Sequence, residues 1–137
     1  MGPTTVLVVG DGGREHALCI GLANSSSVRE IHCSPGNAGT SMVATNHNIS
    51  TSDIEGLVSL ALDLKADLGV AGPEAPLVDG LADSLREAGV ACFGPHSEGA
   101  RQEASKLHAK EIMKSLGVPT GGHIVVETES AISGALD

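Results

Sequence analysis

The stretch Val6-Leu7-Val8-Val9-Gly10-Asp11-Gly12-Gly13-Arg14-Glu15-His16 decides the fold. Four consecutive apolar residues read as a strand covered on both faces, the habit of a parallel sheet. The glycines that follow allow a sharp turn and close backbone approach, and the chain then enters a helix over 13–23. A helix N-terminus offers unpaired N–H groups and a partial positive charge, and Arg14 adds a formal one. The turn reads as a phosphate-binding turn on an α/β sheet.

Working outward, strand 4–9 leads into this helix, whose Ala17, Ile20 and Gly21 are expected to face the sheet. Asn24-Ser25-Ser26-Ser27 ends it as a polar loop. Residues 28–34 set Ile31 and Cys33 against Arg29, Glu30 and His32, which predicts a second strand stopping at the turn-forming Pro35-Gly36-Asn37-Ala38-Gly39-Thr40. A short strand is expected over 47–49. Ser52 and Glu55 have capping-box spacing, and Ile54, Leu57, Val58 and Ala61 recur at helical intervals, so a helix is expected over 53–65. Strand 67–71 ends in Gly72-Pro73-Glu74-Ala75-Pro76-Leu77; one helix carrying Val78, Leu81, Ala82 and Leu85 follows, closed by Gly89. Residues 90–93 give another strand before Gly94-Pro95. Alternating strands and helices specify a Rossmann-like α/β fold, an open parallel sheet with helices on both faces. Ligands of such sheets sit beyond the carboxyl ends of the strands. All three glycine- and proline-bearing loops belong to that edge and are expected to converge on one crevice.

Beyond Pro95 the pattern changes to helices over 97–102 and 104–116, a stop at Gly117 and Pro119, a strand over 123–126 and a last helix capped by Thr128. One strand and one helix bury too little for an independent core. Residues 1–102 are therefore expected to form the N-terminal Rossmann-like substrate-binding domain. Residues 103–137 read as a linker helix and the opening of a second domain.

Composition bounds the function. Hydrophobic residues make up 41%, enough for a packed core. No apolar run approaches the ~18 residues of a membrane span, and the N-terminus has no basic, signal-type segment, so a membrane partner is not expected. Net charge is -9 and Phe93 is the one aromatic residue, which argues against nucleic acid as a partner. Cys19, Cys33 and Cys92 are odd in number, widely spaced and without a CxxC pair, as in reduced cytoplasmic proteins.

The turn invites comparison with the dinucleotide fingerprint GxGxxG, but the third glycine position holds Glu15. The second strand ends in Ser34-Pro35-Gly36-Asn37, without the acidic residue that holds a ribose diol. A phosphate on a smaller ligand fits better. Arg14 is either a ligand contact or a surface ion pair, and His16 reads as a packed histidine. Glu74, on a stiff loop, is either a ligand contact or a helix-start residue; Asn37 is either a contact or the holder of its own loop through an Asx turn. No Ser-His-Asp, Cys-His or metal-ligand spacing is present.

Taken together, Gly10-Asp11-Gly12-Gly13-Arg14-Glu15-His16-Ala17, Pro35-Gly36-Asn37-Ala38-Gly39-Thr40, Gly72-Pro73-Glu74-Ala75-Pro76-Leu77 and Phe93-Gly94-Pro95, with Ser105-Lys106 and Gly117-Val118-Pro119-Thr120 behind them, resemble the phosphoribosylamine–glycine ligase family of ATP-grasp enzymes. The resemblance implies that ATP, with Mg2+ or Mn2+, phosphorylates glycine and that 5-phosphoribosylamine attacks the glycyl phosphate, an early step of purine synthesis. It also implies that an ATP-grasp domain, carrying the ATP and metal sites, follows these residues and that no catalytic residue lies among them. Gly12, Gly13, Arg14, Asn37, Gly39, Thr40 and Glu74 become candidate substrate-binding positions, and Lys106 a candidate ATP contact. Two alternatives share the pattern: the first domain of another ATP-grasp ligase, such as a biotin-dependent carboxylase component, and a stand-alone nucleotide-binding module.

Overall fold

The computed structural model describes residues 4–136. These fall into two compact units, Met1–Ala104 and Ser105–Asp137.

In the first unit, β1 (Thr4–Gly10) is the middle of a five-stranded, all-parallel sheet. After it come α1 (Gly13–Ala23), β2 (Val28–Pro35), a single 3-10 turn (Thr40–Met42), β3 (Thr45–Asn46) and α2 (Ile54–Asp63). Then follow β4 (Leu68–Ala71), α3 (Glu74–Val78), α4 (Leu81–Glu87), β5 (Ala91–Phe93) and α5 (Ser97–Ala104). The strand order is β3-β2-β1-β4-β5, so the winding reverses between β1 and β4. That reversal is the topological switch point of a doubly wound sheet.

The apolar run of β1 is buried on both sides, as its composition requires. Val6 and Val8 pack with Cys19 of α1, Ile31, Cys33 and Val70 on one face. Leu7 and Val9 pack with Leu57 and Ala61 of α2 and Leu81 and Leu85 of α4 on the other. Val6, Leu7, Val8 and Val9 are all fully buried, and side chains of this kind contribute about 1.5–3 kcal/mol each when removed from water.

Several local expectations are corrected. The face of α1 toward the sheet is Glu15 and Cys19, flanked by Leu18 and Leu22, whereas Ala17, Ile20 and Gly21 are exposed. The Glu15 carboxylate can lie on the inward stripe because it accepts from Gly12 N–H and Arg14 Nε. The N-cap of α2 is Asp53, whose carboxylate accepts from Gly56 N–H at 2.9 Å, while Ser52 pairs with Ser50. β3 lies at Thr45–Asn46 and not at 47–49: the last backbone bond to β2 runs from His47 N–H to Cys33 O at 2.9 Å, and beyond it the Ser34 hydroxyl sits 3.0 and 2.9 Å from the carbonyl oxygens of His47 and Ile49. The single helix expected after Gly72 is two, α3 and α4, divided at Gly80 with φ 91. At the end of α4, Gly89 and Val90 donate to Arg86 and Leu85 carbonyls in a Schellman closure.

In the second unit, α6 (Lys106–Ser115) is capped by the Ser105 hydroxyl, which accepts from His108 N–H, and Gly117 closes it at φ 67. The strand expected over 123–126 does not form. Ile124 and Val125 are exposed there, and among the described residues of this unit no strand lies beside them to pair with. Thr128 makes no side-chain cap; a 3-10 turn (Glu129–Ala131) leads into α7 (Ile132–Leu136).

Candidate functional site

Loops from three neighbouring strands meet at the carboxyl edge of the sheet. The register puts Gly10 beside Pro35 and Val9 beside Ala71, so the turn after β1 has the β2 loop on one side and the β4 loop on the other. Backbone bonds join them: Gly36 N–H donates to Gly10 O, and Gly72 N–H to Val9 O, both at 3.0 Å.

Asn37 is the brace of the β2 loop. Its Nδ2 donates to the carbonyl oxygens of Asp11 at 2.8 Å and Gly12 at 3.0 Å. Its Oδ1 accepts from Gly39 N–H at 2.7 Å and Thr40 N–H at 3.0 Å. Thr40 is fully buried; its hydroxyl accepts from Asn37 N–H at 2.7 Å and lies 2.8 Å from Asn46 Oδ1. Thr40 therefore holds the loop from within. Gly39 is small because His16 lies against it: a Cβ there would come within 2.5 Å of His16 Nδ1. His16 is a packed histidine, as its position suggests.

Glu15 is the residue that sequence reasoning undervalued. Its side chain is only 4% exposed, Oε2 accepts from Gly12 N–H at 2.6 Å, and Oε1 accepts from Arg14 Nε at 3.1 Å. It fills the space that a side chain at Gly10 or Gly72 would need, with Gly10 itself at φ 136. A glutamate at the third glycine position is thus accommodated by two glycines, Gly10 at the end of β1 and Gly72 in the β4 loop. One signal was available in the sequence: a carboxylate three residues after a turn glycine has the reach to bond that glycine's N–H.

The consequence for the candidate residues is specific. Gly12 N–H already has an acceptor. Gly13 is exposed in the first turn of α1, and the Arg14 side chain is 60% exposed, with its Nη atoms unpaired among the described residues. Glu74 is exposed at the start of α3, without a hydrogen-bond partner among the described residues. Lys106 begins α6, in the second unit.

The Gly94-Pro95 loop is fixed by a second set that the sequence did not announce. Arg86 Nη2 donates to the carbonyl oxygens of Cys92 at 2.9 Å and Gly94 at 2.5 Å. The Asp83 carboxylate accepts from Ser97 N–H and pairs with His96, which together hold it down at about 2.

A hollow of about 500 Å3 lies along β2 and β3, lined by Glu30, His32 and Thr45 and by Ser41 and Met42 just after the β2 loop. Among the described residues no group of three or more His, Cys, Asp or Glu converges to hold a metal ion, and no helix is long and apolar enough to cross a membrane.

Comparison with known proteins decides the lineage. Residues 4–103 match the family model described as phosphoribosylglycinamide synthetase, N domain. The chain belongs to this family. It is 46% identical over 132 residues to the phosphoribosylamine–glycine ligase of Mycobacterium leprae and 48% identical over 131 residues to that of Streptomyces coelicolor. Both alignments cover 96% of the chain, and the chain spans 31% and 32% of those relatives. The crystal structure of the Thermotoga maritima phosphoribosylamine–glycine ligase superposes with a TM-score of 0.66 at 32% identity, over 96% of this chain and 30% of that one. The biotin carboxylase subunit of a pyruvate carboxylase superposes almost as well, at 0.65, but with 22% identity it shares the fold alone. Within the synthetase N domain, the matched segment contains the whole three-loop crevice, and Lys106 lies beyond it.

Proposed function

We propose that this chain supplies the acceptor-binding domain of a phosphoribosylamine–glycine ligase. The reaction joins glycine to 5-phosphoribosylamine at the expense of ATP, through glycyl phosphate, giving glycinamide ribonucleotide, ADP and phosphate. The observation that carries the reading is the braced crevice at the switch point, with the Arg14 guanidinium and the Glu74 carboxylate exposed on two of its loops.

In this reading the phosphate of the ribose meets Arg14 and the N–H of Gly13, a cation and a free helix-end donor. Glu74 accepts hydrogen bonds from ribose hydroxyls or the amine. Gly12, Asn37, Gly39 and Thr40 serve as the frame that fixes the turn. An acyl phosphate is lost to water unless shielded, so the crevice works as one wall of a site that closes over it.

The residues described do not suit Mg-ATP. They offer no carboxylate cluster for Mg2+ or Mn2+, and Glu15 already takes the N–H of Gly12, the second-glycine donor that a dinucleotide pyrophosphate approaches. ATP and its metal therefore belong with parts of the enzyme outside this chain, Lys106 being the one candidate contact here. The protein acts in the cytoplasm on small molecules, with neither nucleic acid nor membrane as a partner. The test is kinetic, in the intact ligase: Arg14→Ala and Glu74→Ala should each raise KM for phosphoribosylamine while leaving KM for ATP and glycine in place. Unchanged kinetics in both would remove the reading.

A further inference from the structure

We propose that Glu15 is a specificity-determining residue of this crevice: its carboxylate, fixed on Gly12 N–H, keeps diphosphates, nucleotides included, off the turn after β1. The proposal deepens the acceptor-site reading and rests on it.

In a dinucleotide turn the second glycine lets the backbone approach a pyrophosphate, and the helix behind it supplies positive charge. Here the corresponding N–H, that of Gly12, is bonded to Glu15 Oε2 at 2.6 Å. The carboxylate is not a surface group free to swing aside. Its side chain is 4% exposed, and it sits in space left by Gly10 and Gly72, where a Cβ at Gly10 would come within 2.6 Å of Glu15 Cγ and 3.0 Å of Pro73 Cδ. The anion of the turn is built in.

Charge decides what remains possible. The helix end contributes roughly half a positive charge and Arg14 one more, and Glu15 cancels about two-thirds of that sum. Asp11, exposed in the same turn, and Glu74, exposed beyond β4, add further negative charge to this edge. Repulsion from a fixed carboxylate grows in proportion to the charge of the ligand. A phosphomonoester reaching the Nη atoms of Arg14 is penalised least, and a diphosphate or triphosphate most. An enzyme that consumes ATP and recognises a ribose phosphate must separate ligands that share the ribose and differ in phosphate count. A resident carboxylate in the phosphate turn does that.

The test is an amide NMR titration of the labelled chain with ribose 5-phosphate, inorganic pyrophosphate and ADP, without metal, in wild type and in Glu15→Gln. In wild type, ribose 5-phosphate should shift Gly13 and Arg14, and the two diphosphates at equal concentration should not. In E15Q, pyrophosphate and ADP should gain about tenfold or more in affinity, equivalent to about 1.4 kcal/mol, and ribose 5-phosphate distinctly less. A wild-type turn that takes pyrophosphate as tightly as ribose 5-phosphate overturns the proposal, and that arm needs no variant to fold. So does a folded E15Q with equal gains for all three ligands, or with none. If ribose 5-phosphate is silent in both proteins while E15Q gains pyrophosphate, the acceptor reading fails and the role of Glu15 stands.

Discussion

Asn37 ties the β2 loop to the turn after β1, its Nδ2 lying 2.8 Å from the carbonyl oxygen of Asp11 and 3.0 Å from that of Gly12. The same side chain turns its own loop through the N–H groups of Gly39 and Thr40. Replacing it with alanine leaves the Asp11 carbonyl and the N–H groups of Gly39 and Thr40 without their partner in a half-buried setting, while the Gly12 carbonyl keeps only its bond from His16 N–H. Asn37→Ala should lower stability by about 2–3 kcal/mol in urea unfolding. Asn37→Asp keeps the acceptors but sets a carboxylate against two carbonyl oxygens, so it should keep the β2 loop closed and release the turn. Amide exchange at residues 11–13 against residues 39–40 separates the two effects.

The braces show what was legible in the sequence and what was not. The four apolar residues of β1 announced a doubly covered central strand because burial on both faces leaves no polar position. The convergence of the loops followed from the fold class alone. The bonding partners were legible only where they are local: Glu15 stands three residues after Gly12, within reach of its N–H, whereas the pairing of Asp83 with Ser97 and His96 depends on tertiary geometry that spacing does not carry. The inward face of α1 was misread because a charged residue, Glu15, lies on the buried stripe and Ile20 on the exposed one. The strand expected over 123–126 was drawn from β-branched residues whose pairing depends on a neighbour, and propensity cannot supply one.

Gly72 is fixed by Glu15 and not by its own backbone, since a side chain there would occupy the position of the carboxylate. Gly72→Ala should cost about 1–3 kcal/mol and push Glu15 off Gly12 N–H. Gly21, on the exposed face of α1 with nothing within 4 Å of an added Cβ, provides the contrast. Gly21→Ala should stabilise by about 0.5–1 kcal/mol. Thermal unfolding of the two variants checks both signs; a harmless Gly72→Ala would show that Glu15 has another resting place.

Lys65 ends α2 at φ 51, a left-handed conformation, with Lys65 and Ala66 donating to the Leu62 and Ala61 carbonyls. This is the closure that Gly89 and Gly117 make without a Cβ. Lys65→Gly should therefore stabilise the protein by about 1 kcal/mol, the strain relieved exceeding the entropy that glycine adds to the unfolded chain. Chemical denaturation of the variant decides it, and a loss of stability would locate the constraint in the lysine side chain.

Asp83 links α4 to the start of α5 and titrates at about 2, against 3.8 ordinarily, chiefly because Ser97 N–H donates to it and next because of His96. The folded state thus holds the proton less tightly than the unfolded one. Its contribution is complete above pH 3.8 and is lost as pH falls from there through about 2. Melting temperatures followed over that window should fall more steeply in wild type than in Asp83→Asn. Parallel curves would show that the pair does not hold the helices together.

The thiols give a probe of the core beneath the turn. Cys19 and Cys33 are fully buried. Burial pushes the Cys33 thiol up to about 12, with Cys19 beside it adding to the shift, and burial likewise raises Cys19. Cys92, half-buried, is raised by burial and partly restored by the Arg86 charge. Since the thiolate is the reacting form, an aromatic disulfide reagent at mildly alkaline pH should label Cys92 slowly in the native protein and leave the other two untouched. Cys19 is on the sheet-facing side of α1, so its labelling measures how often that helix lifts from the sheet. Its protection should drop in Gly72→Ala and in Asn37→Ala, which loosen the two loops flanking the helix start. Immediate labelling of all three thiols in wild type would mean that α1 is not held against β1 and β2, and the braced crevice would lose its foundation.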